Sequence, residues 1–173
     1  MDVNSLQKGP ASAGPLFDVV GKLVGYLIAF ALITLVALVG GEVILRAVAN
    51  SSFGFVEELT GYLVVALTLF GAALALRSNT LFRVGFIFSA FPKRVQKLLW
   101  YLFIGISLLV CAVLAWKSYQ LVGSSLSRGK FAPTVLRTPL WIPQLCMPLG
   151  FLTIGLFLIE QFLLSLRPEQ KED

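Results

Sequence analysis

The chain has 173 residues, of which 57% are hydrophobic and only 13% are charged. A soluble domain carries about 25% charged residues, and a chain this short could not bury so much apolar surface. The net charge of +5 does not point to a nucleic-acid partner, because the basic residues lie in short loops between long apolar runs. Composition therefore predicts a protein that crosses a membrane several times.

Four apolar runs are long enough to cross the roughly 30 Å hydrocarbon core of a bilayer as helices. They predict an all-α membrane protein, a single membrane domain over residues 1–173, with spans at about 23–45, 56–76, 98–120 and 140–164. The first run is longer than the apolar core of a signal peptide, so we expect it to remain as a helix.

The distribution of Lys and Arg predicts that both termini lie in the cytoplasm. In that orientation nine basic residues fall on the cytoplasmic side of the membrane and five on the outer side. The loop before the fourth span, with Arg128, Lys130 and Arg137, is more basic than this rule predicts for an outer loop. Such a loop requires a separate explanation, such as an acidic protein surface or lipid headgroups.

Two short segments are expected to lie in the plane of the lipid headgroups. Residues 15–22 and 81–91 mix apolar side chains with charges and are too short to cross a membrane. The second segment is rich in phenylalanine, whose exposure to water is unfavourable. The alternative for residues 81–91 is a simple turn between two spans.

The carboxylates near the spans are candidates for function in a membrane. Glu42 precedes Arg46 by four residues, which predicts a helical ion pair at the headgroup level. The alternative makes Glu42 a carboxylate that couples protons or ions to transport. Glu160, near the cytoplasmic end of the fourth span, is expected to be interfacial.

The second and fourth spans begin with unusual residues. Glu57 and Glu58 open the second span, where the helix dipole stabilises negative charge, and they could also pair with a neighbouring chain. Pro148 removes the hydrogen bond to the Gln144 carbonyl, which predicts a kinked or late-starting fourth helix. Trp141 is expected to anchor that helix at the interface, although freed carbonyls can also form ion sites in transporters.

The residues that the sequence lacks argue against an enzyme. There is no histidine for acid–base work or haem ligation, and there is no phosphate-binding loop and no nucleophile elbow. We expect no cofactor and no metal, and we expect Cys111 and Cys146 to be free, buried thiols. Small residues at Gly21 and Gly25, and from Gly71 to Ala75, predict close helix packing.

The order of these features resembles the small membrane subunit, of the DctQ type, of tripartite ATP-independent periplasmic (TRAP) transporters. The resemblance covers nearly the whole chain. The segments that carry it are, in chain order, Arg46, Phe55, Glu57-Glu58-Leu59, Gly71-Ala72-Ala73, Arg77, Pro92-Lys93-Arg94, residues 138–143 (TPLWIP) and residues 147–150 (MPLG). The family often has His-Ile-Arg-Val-Asp after the second span. Here only Arg83 and Val84 match, so no role of that histidine or aspartate is transferred.

The resemblance implies a multi-pass protein of the bacterial inner membrane that handles no cargo itself. In such systems a large membrane subunit of the DctM type carries the sodium and substrate sites, and a periplasmic binding protein delivers an organic acid, such as a C4-dicarboxylate or a sialic acid. The small subunit enlarges the fixed scaffold. Candidate contacts with the large subunit or with lipids are Arg46, Glu57, Glu58, Arg77, Arg83, Trp100, Trp141 and Pro148, and the candidates for docking the periplasmic protein are Arg128, Lys130 and Arg137.

Two other functions remain open from the residues alone. The chain could form a small transporter or channel by oligomerising, with Glu42 as its functional carboxylate. It could also be a structural subunit of another membrane complex. Transport by the chain alone would favour the first of these.

Overall fold

The computed structural model describes residues 13–78, 92–133 and 136–166, and in that part of the chain it contains five helices and no strand. Four segments are long and apolar enough to cross a membrane, which confirms the predicted all-α fold with four spans. The helices are α1 (Pro15–Ala49), α2 (Val56–Arg77), α3 (Lys93–Ser127), α4 (Trp141–Gln144) and α5 (Cys146–Leu166).

Helix α1 is longer than the apolar run that predicted it. It has 35 residues, which at 1.5 Å per residue is about 52 Å, well above the roughly 30 Å of a hydrocarbon core. Pro15 occupies its first turn, and Asn50 ends it in the left-handed conformation at φ 47°. Residues 15–22 do not form a separate helix: they are the first two turns of α1, because no breaker interrupts the apolar pattern that follows, and their place in the headgroup plane stays a prediction. The other expected surface segment, 81–91, lies outside the described residues.

Helices α2 and α3 follow the sequence signals at their ends. Helix α2 has Glu57 and Glu58 in its first turn and Arg77 in its last turn, and each charge has the sign that the helix dipole stabilises there. Helix α3 begins directly after Pro92 and continues past Lys117 to Ser127. The lysine therefore lies within a continuous helix.

The entry to the last span is broken, as Pro148 predicts. The four residues of α4 end at Gln144, and α5 begins at Cys146. The break is bridged by the Leu145 amide, which donates to the Trp141 carbonyl at 3.2 Å, and by the Leu149 amide, which donates to the Leu145 carbonyl at 3.3 Å. The short helix and α5 together form one span over Trp141–Leu166.

The four spans form an open row rather than a closed bundle. Extensive contacts join α1 to α2, α2 to α5, and α5 to α3, so α2 and α5 are the central members and α1 and α3 are the edges. The buried and half-buried positions of α1 include a row that repeats at alternating steps of four and three, the spacing of left-handed helix pairs. Its members are Phe17, Gly21, Val24, Ile28, Ala31, Leu35, Leu38, Glu42 and Leu45.

Most of the apolar surface faces outward. Ala73 of α2 and Phe157 of α5 are fully buried, whereas large side chains such as Phe30 and Leu109 are exposed on the two edge helices. An apolar surface of this extent is unfavourable in water and is expected in contact with lipid or with another membrane protein.

Candidate functional site

One arginine joins three of the spans. Arg77, the last residue of α2, donates from Nε to Glu160 Oε2 of α5 at 2.9 Å and from Nη2 to Asp18 Oδ1 of α1 at 2.5 Å. A longer bond of 3.3 Å joins Nη2 to Glu160 Oε1. We call Asp18, Arg77 and Glu160 the three-helix cluster.

The three-helix cluster is largely removed from solvent. The side chain of Arg77 is 7% exposed, that of Glu160 is 1% exposed, and that of Asp18 is 45% exposed. Glu160 Oε1 also accepts a bond from the Ala13 amide at 3.3 Å, and the guanidinium carbon lies 5.5 Å from the centre of the Phe157 ring. Both buried charges therefore have hydrogen-bonding partners, the condition for keeping ionised groups inside a protein.

A glycine provides the space for the arginine. A Cβ atom added at Gly21 would overlap Arg77 Nη1 and would lie 2.9 Å from Arg77 Cζ, whereas the same atom at Gly25 would meet nothing within 4 Å. Both glycines were predicted to mark close packing. Only Gly21 does so within the described residues, and the group that packs there is a charged side chain rather than a helix backbone.

Glu160, which was expected to be interfacial, is buried inside the protein, while its depth in the membrane stays a prediction. Its position near the end of the last apolar run suggested an interfacial carboxylate, but the structure turns it inward toward Arg77. The next residue, Gln161, also faces α2, and its Nε2 donates to the Leu76 carbonyl at 2.5 Å. Arg77, predicted as a contact for a partner or for lipid, binds within its own chain in the described part of the structure, and the partner contact stays a prediction.

The other end of α1 carries a second group of charges, which we call the turn cluster. Glu42 accepts from Arg46 Nε at 2.7 Å, from Ser52 Oγ at 2.5 Å and from the Phe53 amide at 3.1 Å. The predicted i,i+4 pair is therefore confirmed. All of these partners lie within 11 residues of Glu42, so the turn cluster closes the connection between α1 and α2.

The turn cluster extends weakly to the start of α2. Arg46 Nη2 lies 3.7 Å from Glu57 Oε1, and the Glu57 side chain is 89% exposed. Glu58 instead accepts a hydrogen bond from the Tyr62 hydroxyl at 2.7 Å. The acidic start of α2 thus has local partners, and its role as a contact for another chain stays a prediction.

The loop between α3 and α4 is ordered by two backbone hydrogen bonds. The Ala132 amide donates to the Thr138 carbonyl at 2.9 Å, and the Leu140 amide donates to the Lys130 carbonyl at 3.0 Å. Arg137 adopts the left-handed conformation at φ 46°. We call residues 128–133 and 136–140 the basic loop.

The basic loop presents three cations to solvent. Arg128, Lys130 and Arg137 are exposed, and they form no ion pair with any residue that the structure describes. No Asp or Glu occurs between Glu58 and Glu160. The loop is therefore a surface of one charge sign, which can attract an acidic protein face or an anionic headgroup.

The remaining interface candidates are placed as follows. Trp100 is half-buried near the start of α3 and packs edge-on against Tyr101 at 5.7 Å between ring centres. Trp141 begins α4 and is half-buried, whereas Pro148 is buried. Arg83 lies outside the described residues.

An apolar groove of about 490 Å³ lies between α3, α5 and the first turn of α1. Its walls include Leu16, Phe17, Leu108, Leu156 and Ile159. Within the described residues, no group of three or more Cys, Asp or Glu side chains could hold a metal ion. The groove is suited to apolar groups rather than to a charged solute.

Sequence comparison identifies relatives of the chain. The family described as "Tripartite ATP-independent periplasmic transporters, DctQ component" matches residues 35–167. The chain is also 26% identical over 95 residues to the isethionate TRAP transporter permease protein DctMQ of Oleidesulfovibrio alaskensis. That alignment covers 55% of the chain and 15% of the relative, so the chain matches only a small part of that longer protein.

Proposed function

The chain belongs to the DctQ component family of the tripartite ATP-independent periplasmic transporters, and on this premise we propose that it is the small subunit that supports a large transport subunit. The family is one of inner-membrane transport proteins rather than enzymes. In the proposed role the chain contributes fixed helices beside a separate, moving transport domain and binds no cargo itself.

The open row of helices is the observation that carries this proposal. A row has two wide faces, and here both edges and much of the centre present large apolar side chains. The ion pairs of the described spans lie at the two ends of α1 and join residues of this chain to each other. Such a layer is suited to packing along another membrane protein.

The name of the relative supports the identity of the partner. The O. alaskensis protein is called DctMQ, a name that unites a small and a large component in one permease. We infer that this chain associates with a separate large subunit of the DctM type. Contacts through Arg46, Glu57, Glu58, Trp100 and Trp141 stay part of the proposal.

The cargo is proposed only as a chemical class. We infer uptake of an organic acid, coupled to sodium by the large subunit and delivered by a periplasmic binding protein. The relative is named for isethionate, while a C4-dicarboxylate or a sialic acid is equally compatible with the family.

A deletion and a co-purification test the proposed role. Deleting the chain should abolish uptake of the organic acid by whole cells, and an affinity tag on the chain should retain a large membrane polypeptide in mild detergent. Undiminished uptake after the deletion would contradict the proposal, as would purification of the chain without any large membrane partner.

We propose further that the basic loop faces the periplasm and guides the binding protein. Reversing Arg128, Lys130 and Arg137 to Glu should slow uptake strongly at low salt and less at high salt, because screening weakens long-range attraction. Lys22→Gln, on the opposite predicted side, is the control. If the loss of uptake depends on the anionic lipid content of the membrane and not on the concentration of the binding protein, the basic loop contacts lipid headgroups instead.

A further inference from the structure

The start of α1 is joined to α5 by the hydrogen bonds of the three-helix cluster and of the Ala13 amide. Extensive packing joins α1 to α2 and α2 to α5, but not α1 to α5. Even so, Asp18 of α1 and Glu160 of α5 both bind Arg77, and the Ala13 amide binds Glu160 directly. The connection of the α1 start to α5 thus depends on the three-helix cluster.

The position of the Arg77 guanidinium is fixed both by its charged partners and by the space around it. The guanidinium presents two different nitrogens to the two carboxylates, so its planar fork holds both in fixed directions. It reaches them across the bare backbone of Gly21, where a methyl group would occupy its place. The face of Phe157 lies beneath it.

We propose that Arg77 is a positioning residue that ties the first two turns of α1 across α2 to α5. The tie makes α1 move with the α2–α5 pair as one body. It also fixes Leu16 and Phe17, which form one wall of the apolar groove. When the tie is absent, the rest of α1 still packs on α2, but its first turns separate from α5 and the groove loses that wall.

The tie is tested by cross-linking in native membrane vesicles, without any measurement of transport. The full chain carries Cys111→Ala and Cys146→Ala, and a reporter pair is created by Leu16→Cys and Ile159→Cys, which line the same groove. A short bismaleimide should link the pair rapidly. Arg77→Ala should lower the rate about tenfold, since removing one member of a buried ion pair leaves the other uncompensated.

A glycine pair provides a matched steric test that leaves every charge in place. Gly21→Ala should lower the rate in the same way as Arg77→Ala, because the added methyl displaces the guanidinium. Gly25→Ala, the same substitution one turn later, meets open space and should leave the rate within about twofold, as expected for a surface substitution.

A second reporter checks that each variant is folded. Gly155→Cys in a chain that keeps Cys111 should form a disulfide when an added oxidant accepts the two electrons, because a Cβ added at position 155 would lie 3.9 Å from that of Cys111. This α3–α5 link should form equally in every variant. If Arg77→Ala loses both links, the two glycine variants decide.

The outcomes are distinct from those of the proposed function. A slow α1–α5 link in Arg77→Ala and Gly21→Ala, with the α3–α5 link intact, supports the tie even if the chain has another role. The parental α1–α5 rate in Gly21→Ala, or a rate in Gly25→Ala that falls equally, would overturn it.

Discussion

Helix α1 has a charged cluster at each end, and the two clusters differ in reach. The turn cluster joins Glu42 to residues no more than 11 positions away. The three-helix cluster joins Arg77 to residues 59 and 83 positions away. The two clusters therefore have different roles. The turn cluster closes a turn between consecutive helices, and the three-helix cluster connects helices that are distant in the sequence.

The clusters also differ in how far they are exposed to solvent, and this difference determines how much each contributes to the stability of the fold. Arg46 is more than half exposed, so water and salt screen its pair with Glu42. Arg77 and Glu160 are almost completely enclosed, so neither can be removed without stranding a charge. We therefore expect substitutions in the three-helix cluster to be much more damaging than the same changes in the turn cluster.

Arg77→Ala should have the largest effect. It leaves Glu160 buried without its cation, a change that costs about 3–5 kcal/mol in buried pairs. Unfolding in detergent, followed by circular dichroism, measures the loss. The double variant Arg77→Ala with Glu160→Ala should recover part of the stability, and a double variant no more stable than Arg77→Ala would contradict the pairing.

Gly150→Ala should also destabilise the protein, because it disturbs the α2–α5 contact that brings Arg77 to Glu160. The added Cβ would lie 2.7 Å from Leu69 Cβ, and overpacking of this kind costs about 1–3 kcal/mol. Gly71→Ala is the control, since a Cβ there meets nothing within 4 Å. Equal melting temperatures for the two variants would show that Gly150 is not a close contact.

Glu160→Gln sharpens the comparison by removing charge while keeping shape. The amide can accept from Arg77 through its oxygen, but one of the three bonds from Arg77 and Ala13 must be weakened. The loss should be about 1.5–3 kcal/mol, the value of a hydrogen bond to a charged group. Thermal unfolding should therefore place this variant between the parent and Arg77→Ala, and parental stability would be inconsistent with a buried ion pair.

Glu42→Gln should have the smallest effect. Glu42 is itself buried, but its partners are local and Arg46 can turn to water, so the melting temperature should fall by less than in any of the variants above. A shift as large as that of Arg77→Ala would remove the distinction between the two clusters. High salt should reduce the difference from the parent further.

The sequence was sufficient for features that depend on neighbouring residues. Apolar runs predicted four spans, the spacing of Glu42 and Arg46 predicted their pair, and Pro148 predicted the broken entry to the last span. Each depends on helix geometry or on one backbone bond, which a short window of sequence contains.

The three-helix cluster could not be predicted in this way. Its pairing depends on which faces of α1, α2 and α5 meet, and apolar runs without strong polar faces leave the rotation of each helix undetermined. The inward pairing of Glu160 with Arg77 was accordingly not predicted. One signal was available in the sequence. Arg77 lies at the end of the second apolar run and Glu160 lies near the end of the fourth, so two opposite charges were predicted on the same side of the membrane.

Reconstitution into liposomes tests the proposed supporting role most directly. Sodium-driven uptake of the organic acid should require the large subunit, the binding protein and this chain together, and the chain alone should transport nothing. Sodium-driven uptake by the chain alone, or full uptake by the large subunit and the binding protein without it, would contradict the account.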